Sequence, residues 1–363
     1  MTKNQLRTAL FSAAAVTFSA GAALEPPLRN LTNLARAGTS FSAKQLCSGG
    51  LMAGMYTNRM LREDLAAGQG LIQTRIEPGA GRVEASALFG LFRSEAVQNG
   101  ERGCTWRMNG QPSPRLFRQA TPGNRDPKSS VGPWRLVDMA PAEPPEIDRQ
   151  ELNDVLDRAF EENEPLAPKR TRAVVVAQDG WVIAERYAQG IRPDMPLIGW
   201  SMSKSITHAL IGLAVHKGIL DPDKPPSVPE WSDPEDPRRR ISLDQLLRMN
   251  SGLAFEESTG ALNSDLVQML TQEADMARFA ASQPLIKKPG KKWSYSSGTT
   301  NILSRILRHA INDDQDYWAF PSRALFAPLG VTTAGGGSGD RGSFGGGWGG
   351  AGGGGGARGA GWG

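Results

Sequence analysis

The sequence predicts an α+β fold, an antiparallel sheet flanked by helices together with a helical subdomain, and three observations carry that expectation. Two β-prone runs, residues 173–177 and 181–187, flank Asp179-Gly180, a pair that accepts the positive φ values of a tight hairpin turn. An amphipathic helical pattern precedes them. Asp148 can cap it while Glu151 reaches back, and Leu152, Val155, Leu156, Ala159 and Phe160 fall at i, i+3, i+4, i+7 and i+8. Mostly helical patterns follow, and helix, hairpin and then helices fits an α+β domain, not a βαβ repeat.

From Ser201 the pattern turns helical, with Met202, Ile206, Ala209, Leu210 and Leu213 predicted on one face and Lys217-Gly218 as the stop. Further helices are expected over residues 242–249, opened by a Ser242/Gln245 capping box, around 265–281, and over 301–310. In the last of these Ile302, Leu303, Ile306 and Leu307 share a side. Upstream, residues 42–106 alternate short apolar runs with turn residues and read as a small N-terminal module. Residues 111–134 read as a loop, rich in Pro, Ser, Gly and Arg, and 141–145 as a second linker. The expected organisation is a leader over 1–24, the module and linker over 25–140, the main domain over 141–334 and a tail over 335–363.

A chain of 363 residues with 39% hydrophobic content can build one large core or two smaller ones. Its 41 Lys+Arg against 37 Asp+Glu leave a net charge of only +4, spread along the chain and not gathered into a stripe. That distribution argues against a nucleic-acid partner. Lys3 and Arg7 precede an apolar, small-residue run over 8–24 with Ala20-Gly21-Ala22 near its end, the layout of a secretory signal. An uncleaved N-terminal anchor is the other reading. Either way the body is expected to be exported, free in the periplasm or anchored to the membrane and facing it. Export favours pairing of Cys47 with Cys104, two buried free thiols being the alternative. With no CxxC or HExxH, and with His208, His216 and His309 placed on helices, no metal site is expected.

The composition breaks at residue 335, where 18 of the last 29 residues are glycine. Almost no aliphatic side chains remain there to offset the entropy of ordering, so the tail is expected to be disordered. Arg341-Gly342 and Arg358-Gly359 do not form the repeated motif of an RNA-binding segment.

A serine hydroxyl is a weak nucleophile near neutral pH and needs a neighbouring base. Gly199-Trp200-Ser201-Met202-Ser203-Lys204-Ser205 supplies one, because residues three apart share a helix face and Ser201 at the helix start lies beside the Lys204 amine. The helix N-terminus favours negative charge developing at that serine. Taken alone, the same residues also make ordinary caps and solvent-facing positions. A pairing from Ser203 fails because Ile206 lies three residues on, and a Gly-x-Ser-x-Gly elbow fails because Ser203 stands where its second glycine belongs.

Other motifs follow in order: Trp200-Ser-Met-Ser-Lys-Ser-Ile-Thr-His-Ala-Leu-Ile-Gly-Leu-Ala214, Gly218-Ile-Leu-Asp221, Pro229-Glu-Trp231 and Leu246-Leu-Arg-Met-Asn-Ser-Gly-Leu253. Together they resemble the β-lactamase-related serine hydrolases. That family embraces class C β-lactamases, penicillin-binding DD-peptidases, esterases and 6-aminohexanoate-dimer hydrolases, the last being nearest in pattern. The resemblance covers residues 147–333 and implies a β-lactamase/transpeptidase-like fold acting on a small amide, ester or cyclic amide. It further implies an acyl-enzyme on Ser201 with Lys204 as base and no metal or other cofactor. The oxyanion would be held by the Ser201 amide and a second amide from a later edge strand. Trp293-Ser-Tyr295-Ser296-Ser297-Gly298 stands where the family has Tyr-x-Asn, which makes Tyr295 the candidate proton shuttle. Ser297 replaces the asparagine, departing from a true β-lactamase, and is expected to hydrogen-bond a substrate carbonyl.

The family's third element, Lys-Thr-Gly or His-x-Gly, is absent: no lysine follows Lys292 and no His-x-Gly follows Tyr295. The resemblance runs through Leu325-Phe-Ala-Pro-Leu-Gly-Val-Thr-Thr333 and stops where glycine takes over. The domain is therefore expected to be incomplete at its C-terminus, whether through a shifted reading frame in a G/C-rich gene or through fusion to a low-complexity segment. A penicillin-binding or sensor-like module that acylates without turnover, or an inactive remnant, is the alternative to an active hydrolase.

Overall fold

The computed structural model describes residues 30–68, 70–98, 103–107, 134–135, 141–164, 168–259, 261, 263–331 and 334. The expected leader, most of the 111–134 loop and the glycine-rich tail lie outside the described residues.

The N-terminal module opens with α1 (30–45), which runs into one wide π turn, Leu46–Met52, and then α2 (Thr57–Glu63). A four-stranded antiparallel meander follows: β1 (Ile72–Glu77), β2 (Arg82–Ala87), β3 (Phe92–Gln98) and β4 (Cys104–Arg107), paired in that order. The period-two pattern shows in β2, where Val83, Ala85 and Ala87 are buried and the residues between them are not. Gly81, in the left-handed region at φ 60°, makes the turn into it. Small residues let α1 lie close on the sheet. Thr39 Oγ1 and Ser40 Oγ hydrogen-bond Ser94 Oγ at 2.9 and 3.0 Å, and Trp106 Nε1 donates to the Ser40 carbonyl at 3.0 Å. A disulfide joins Cys47 in the π turn to Cys104 at the start of β4, with Cα atoms 6.0 Å apart.

β5 (Trp134–Arg135), α3 (Arg149–Phe160), β6 (Ala173–Gln178) and β7 (Trp181–Tyr187) come next, the strands forming a second antiparallel sheet in the order β5-β7-β6. Asp179 and Gly180 turn the hairpin at φ 49° and 78°, both left-handed, as the right-handed twist of two-residue hairpins requires. Asp148 caps α3 by accepting from the Glu151 amide at 3.0 Å. Of the expected α3 stripe only Leu156 is fully buried and Val155 is exposed. α3 lies on the surface, held by polar contacts such as Thr171 Oγ1 to the Ala159 carbonyl at 2.7 Å.

The remaining chain is helical: α4 (Met202–His216), α5 (Leu243–Leu247), α6 (Asp265–Gln272), α7 (Met276–Ala281), α8 (Ser297–Ile311) and α9 (Asp314–Pro321). Gly218 at φ 71° ends α4, and Ser242 with Gln245 forms the expected capping box on α5. The single helix expected around 265–281 is two, because Asp275 accepts from the Arg278 amide at 2.9 Å and starts a new helix. α8 is the centre of this layer. Every residue from Ser297 to Leu307 is buried, and Leu210 and Ile211 of α4, Leu246 of α5, Met269 of α6 and Tyr317 of α9 share its core. The buried stripe of α4 is Ser203, Thr207, Leu210, Ile211 and Ala214, while Met202, expected inside, is 56% exposed. The stripe is rotated because α4 packs on α8, whose first turns are themselves small and polar, so that short Ser and Thr side chains face inward.

The two parts share a wall. The N-terminal core of Leu46, Met60, Val83, Ala85 and Ala96 closes over Ile191 and Met195, which follow β7. Arg172 bonds Asp64 at 2.9 Å, Arg59 Nη1 reaches the Gln189 carbonyl at 2.6 Å, and Ser40 Oγ donates to the Thr271 carbonyl of α6 at 3.1 Å. The architecture is α+β, two antiparallel sheets with flanking helices and a helical layer. Among the described residues no helix is long and apolar enough to cross a membrane.

The disulfide spans 57 residues of sequence, closing a loop that contains β1, β2 and β3 and ends at the first residue of β4. Replacing both cysteines by serine is expected to lower stability by about 2–4 kcal/mol, read as a lower denaturation midpoint in guanidinium that reductant no longer changes.

Candidate active site

The site is built where the N-termini of α4 and α8 meet, and a loop ladder sets the approach to α8. Residues 249–254 run beside 284–294: the Ala254 amide donates to the Pro284 carbonyl at 2.9 Å, and the Ile286 amide to the Gly252 carbonyl at 3.0 Å. The Gly290 amide donates to the Asn250 carbonyl and the Ser294 amide to the Met249 carbonyl, both at 2.8 Å. Gly252 sits at φ 81°, and a Cβ there would meet the Lys287 carbonyl oxygen at 2.1 Å, so this position admits only glycine. The Met-Asn-Ser-Gly-Leu part of the motif therefore aims the segment that carries Trp293 and Tyr295.

On the other side, Trp200 turns the chain into α4 at φ 43°, an uncommon conformation for a bulky residue. Its indole stacks on Phe41 of α1, ring centroids 5.7 Å apart and planes 19° from parallel. Aromatic contact from the N-terminal module thus supports the turn that presents Ser201. Ser201 is the N-cap of α4 with an exposed side chain, and Lys204, one turn on and half-buried, places Nζ 3.1 Å from Ser201 Oγ.

The same Nζ reaches α8. It donates to Ser297 Oγ at 2.9 Å and stands over the face of Tyr295, 4.6 Å from the ring centroid. α8 starts at Ser297, four residues before the expected start, because Ser296 caps it by accepting from the Thr299 amide at 3.0 Å. Ser297 is consequently a buried first-turn residue. Its backbone amide donates to Glu257 Oε2 at 2.8 Å and its hydroxyl donates to Glu257 Oε1. In this arrangement the hydroxyl proton of Ser297 goes to a carboxylate, and the partners of Ser297 Oγ within the chain are Glu257 and Lys204.

The structure thus brings together Ser201, Lys204, Tyr295 and Ser297, while Cys47 and Cys104 pair away from them in the N-terminal core. Glu257 was missed by sequence reasoning. It follows the Ser-Gly-Leu motif in an irregular segment, where no periodicity marks a carboxylate that will meet a residue 40 positions later. Among the described residues no cluster of His, Cys, Asp and Glu could hold a metal ion.

A β-lactamase family model matches residues 168–362, more than half of the chain. The chain belongs to the β-lactamase family. A comparison with curated proteins found no match. Among solved structures, the chain is similar to a protein provisionally described as a 6-aminohexanoate-dimer hydrolase from Bacillus anthracis, at 21% identity and TM-score 0.36 over 45% of this chain and 43% of that one. A provisionally described β-lactamase from Bacteroides dorei shows 22% identity and TM-score 0.39 over 52% and 53%. FmtA from Staphylococcus aureus shows 16% identity and TM-score 0.39 over 51% and 50%. The chain spans about half the length of these proteins. Membership of the family accords with the α+β layering.

Gly298 follows Ser297 in the first turn of α8, and a Cβ there would stand 2.5 and 2.6 Å from ring carbons of Phe255 and 3.0 Å from the Ala280 Cβ. Overpacking costs about 1–3 kcal/mol against about 1 kcal/mol returned by helix propensity, and the clash with a partly buried ring wins. Gly298→Ala is expected to lower the urea midpoint and, by displacing Ser297, to weaken any chemistry at Ser201.

Proposed function

We propose that this protein is a serine hydrolase that cleaves a small amide or ester through an acyl-enzyme on Ser201. The observation that carries the reading is Lys204 Nζ at 3.1 Å from Ser201 Oγ, at the N-terminus of a 15-residue helix. In its neutral form the amine accepts the hydroxyl proton as the serine oxygen bonds to the substrate carbonyl carbon. The carbonyl oxygen becomes an oxyanion, which the positive end of α4 favours. The tetrahedral adduct collapses, the carbonyl–leaving-group bond breaks, and the leaving amine or alcohol takes the proton back from Lys204. Tyr295, packed against Lys204, is the candidate partner in that return. Water then repeats the sequence on the serine ester and releases the acid.

The Cys47–Cys104 disulfide supports an oxidising compartment and hence export, with residues 1–24 as the leader or anchor. Periplasmic fractionation of the full chain checks this, and a cytoplasmic, fully reduced protein would overturn it.

A labelled fluorophosphonate and a p-nitrophenyl ester test the activity. The wild type is expected to label once and to turn over the ester, Ser201→Ala to do neither, and Lys204→Ala to label about 10²- to 10⁴-fold more slowly. Tyr295→Phe is expected to label but to release acyl groups more slowly. A wild-type chain that does not label sinks the proposal.

A further inference from the structure

We propose that Glu257 is a positioning residue for this reaction, setting the proton polarity of Ser297 and through it the direction in which Lys204 presents its lone pair. The inference rests on the Ser201–Lys204 reading above. Ser297 has one hydroxyl proton, and Glu257 takes it: Oε1 accepts from the hydroxyl while Oε2 accepts from the Ser297 amide at 2.8 Å. This two-point grip leaves Ser297 Oγ only its lone pairs to offer Lys204 Nζ, 2.9 Å away. A neutral amine carries two protons and one lone pair. In the structure Nζ donates to Ser297 Oγ at 2.9 Å and to Ser201 Oγ at 3.1 Å, with the face of Tyr295 4.6 Å away; once the amine is neutral, as the reaction requires, the proton held by Ser297 leaves the lone pair to turn to Ser201.

Without Glu257 the Ser297 hydroxyl could turn and donate to the same lone pair, competing with Ser201 for the base. The carboxylate comes from neither catalytic helix. It arrives on the segment that follows the 249–254 ladder, with the neighbouring Glu256 amide held by Asp265 Oδ2 at 2.8 Å. A bond to an ionised acceptor is about twice as strong as a neutral one, which suits it to fixing an orientation.

Glu257→Gln tests this at constant size. The Ser297 amide, a fixed donor, claims the glutamine oxygen, so the glutamine NH₂ faces Ser297 Oγ and turns the hydroxyl proton toward Lys204. We expect the rate of fluorophosphonate labelling and kcat for the ester to fall about 10- to 100-fold, the range of a lost hydrogen bond to a charged group, with KM little changed. The loss should vanish in a Ser297→Ala background, because Glu257 acts through that hydroxyl. Glu257→Asp, which keeps the charged acceptor, should retain more activity than Gln. Wild-type rates in Glu257→Gln, effects that multiply with Ser297→Ala, or rates that track melting temperature across Asp and Gln would overturn the proposal. A readout independent of turnover uses Ser201→Ala chains and acetic anhydride, with acetylation of Lys204 followed by mass spectrometry. Gln at 257 is expected to slow that acetylation relative to Glu, and equal rates overturn the role of Glu257. A wild type that fails to label overturns only the Ser201 reading, since the acetylation comparison still decides the other.

Discussion

Everything at the candidate site depends on the packing of α4 against α8. Both helices begin at the same place, so the positive ends of two backbone dipoles and the first-turn side chains of each converge there. The contact is made of short, buried residues: Ser203 and Thr207 on α4, and Ser297, which Lys204 reaches, in a first turn of α8 where Gly298, Thr299 and Thr300 are also small and buried. Larger residues would hold the axes apart, and the Lys204 amine could not touch Ser201 on its own helix and Ser297 on the other. A polar, small-residue contact is poor in hydrophobic energy. The apolar lower halves of the helices, Leu210, Ile211 and Ala214 against Ile302, Leu303 and Ile306, supply what the active end lacks.

The loops do comparable structural work. The ladder between 249–254 and 284–294 is made of backbone hydrogen bonds across positions with left-handed geometry, Met249 and Gly252, and so its shape is insensitive to most side chains. It delivers Tyr295 and Ser296 to the start of α8 on one strand and Phe255 and Glu257 on the other. The N-terminal module contributes from the far side, where Phe41 supports the left-handed Trp200 and Ile191 and Met195 tie the segment ahead of Ser201 into the module's core. A strained turn of this kind persists only when its surroundings over-determine it, and here those surroundings come from more than 150 residues earlier in the chain.

Much of this was legible in the sequence where local rules decide. The Asp179-Gly180 hairpin, the Ser242/Gln245 capping box, the Gly218 stop and the proximity of Ser201 and Lys204 each follow from geometry within a few residues. The expected α4 stripe holds at Leu210, with Ile206 and Leu213 packed against the core, but misses at Met202, because hydrophobicity locates the buried face only when the partner surface is apolar, and α8 is polar where it meets the site. α8 starts four residues before its apolar periodicity does, because Ser296 in the tyrosine motif also caps the helix. Glu257 was invisible because nothing local distinguishes it from its neighbour Glu256, whose amide is held by Asp265.

By itself the sequence determined the α+β class, the hairpin, most helices, and a serine with a lysine one turn away, since each is a short-range consequence of side-chain spacing, turn chemistry or capping. Only the tertiary structure decided which residues complete the site. It turned Ser297 toward a carboxylate, set Tyr295 ring-on to Lys204, and stacked Phe41 on Trp200 at the turn into α4. Those choices depend on how closely two helices approach and how one loop pairs with another, distances that no periodicity along the chain encodes.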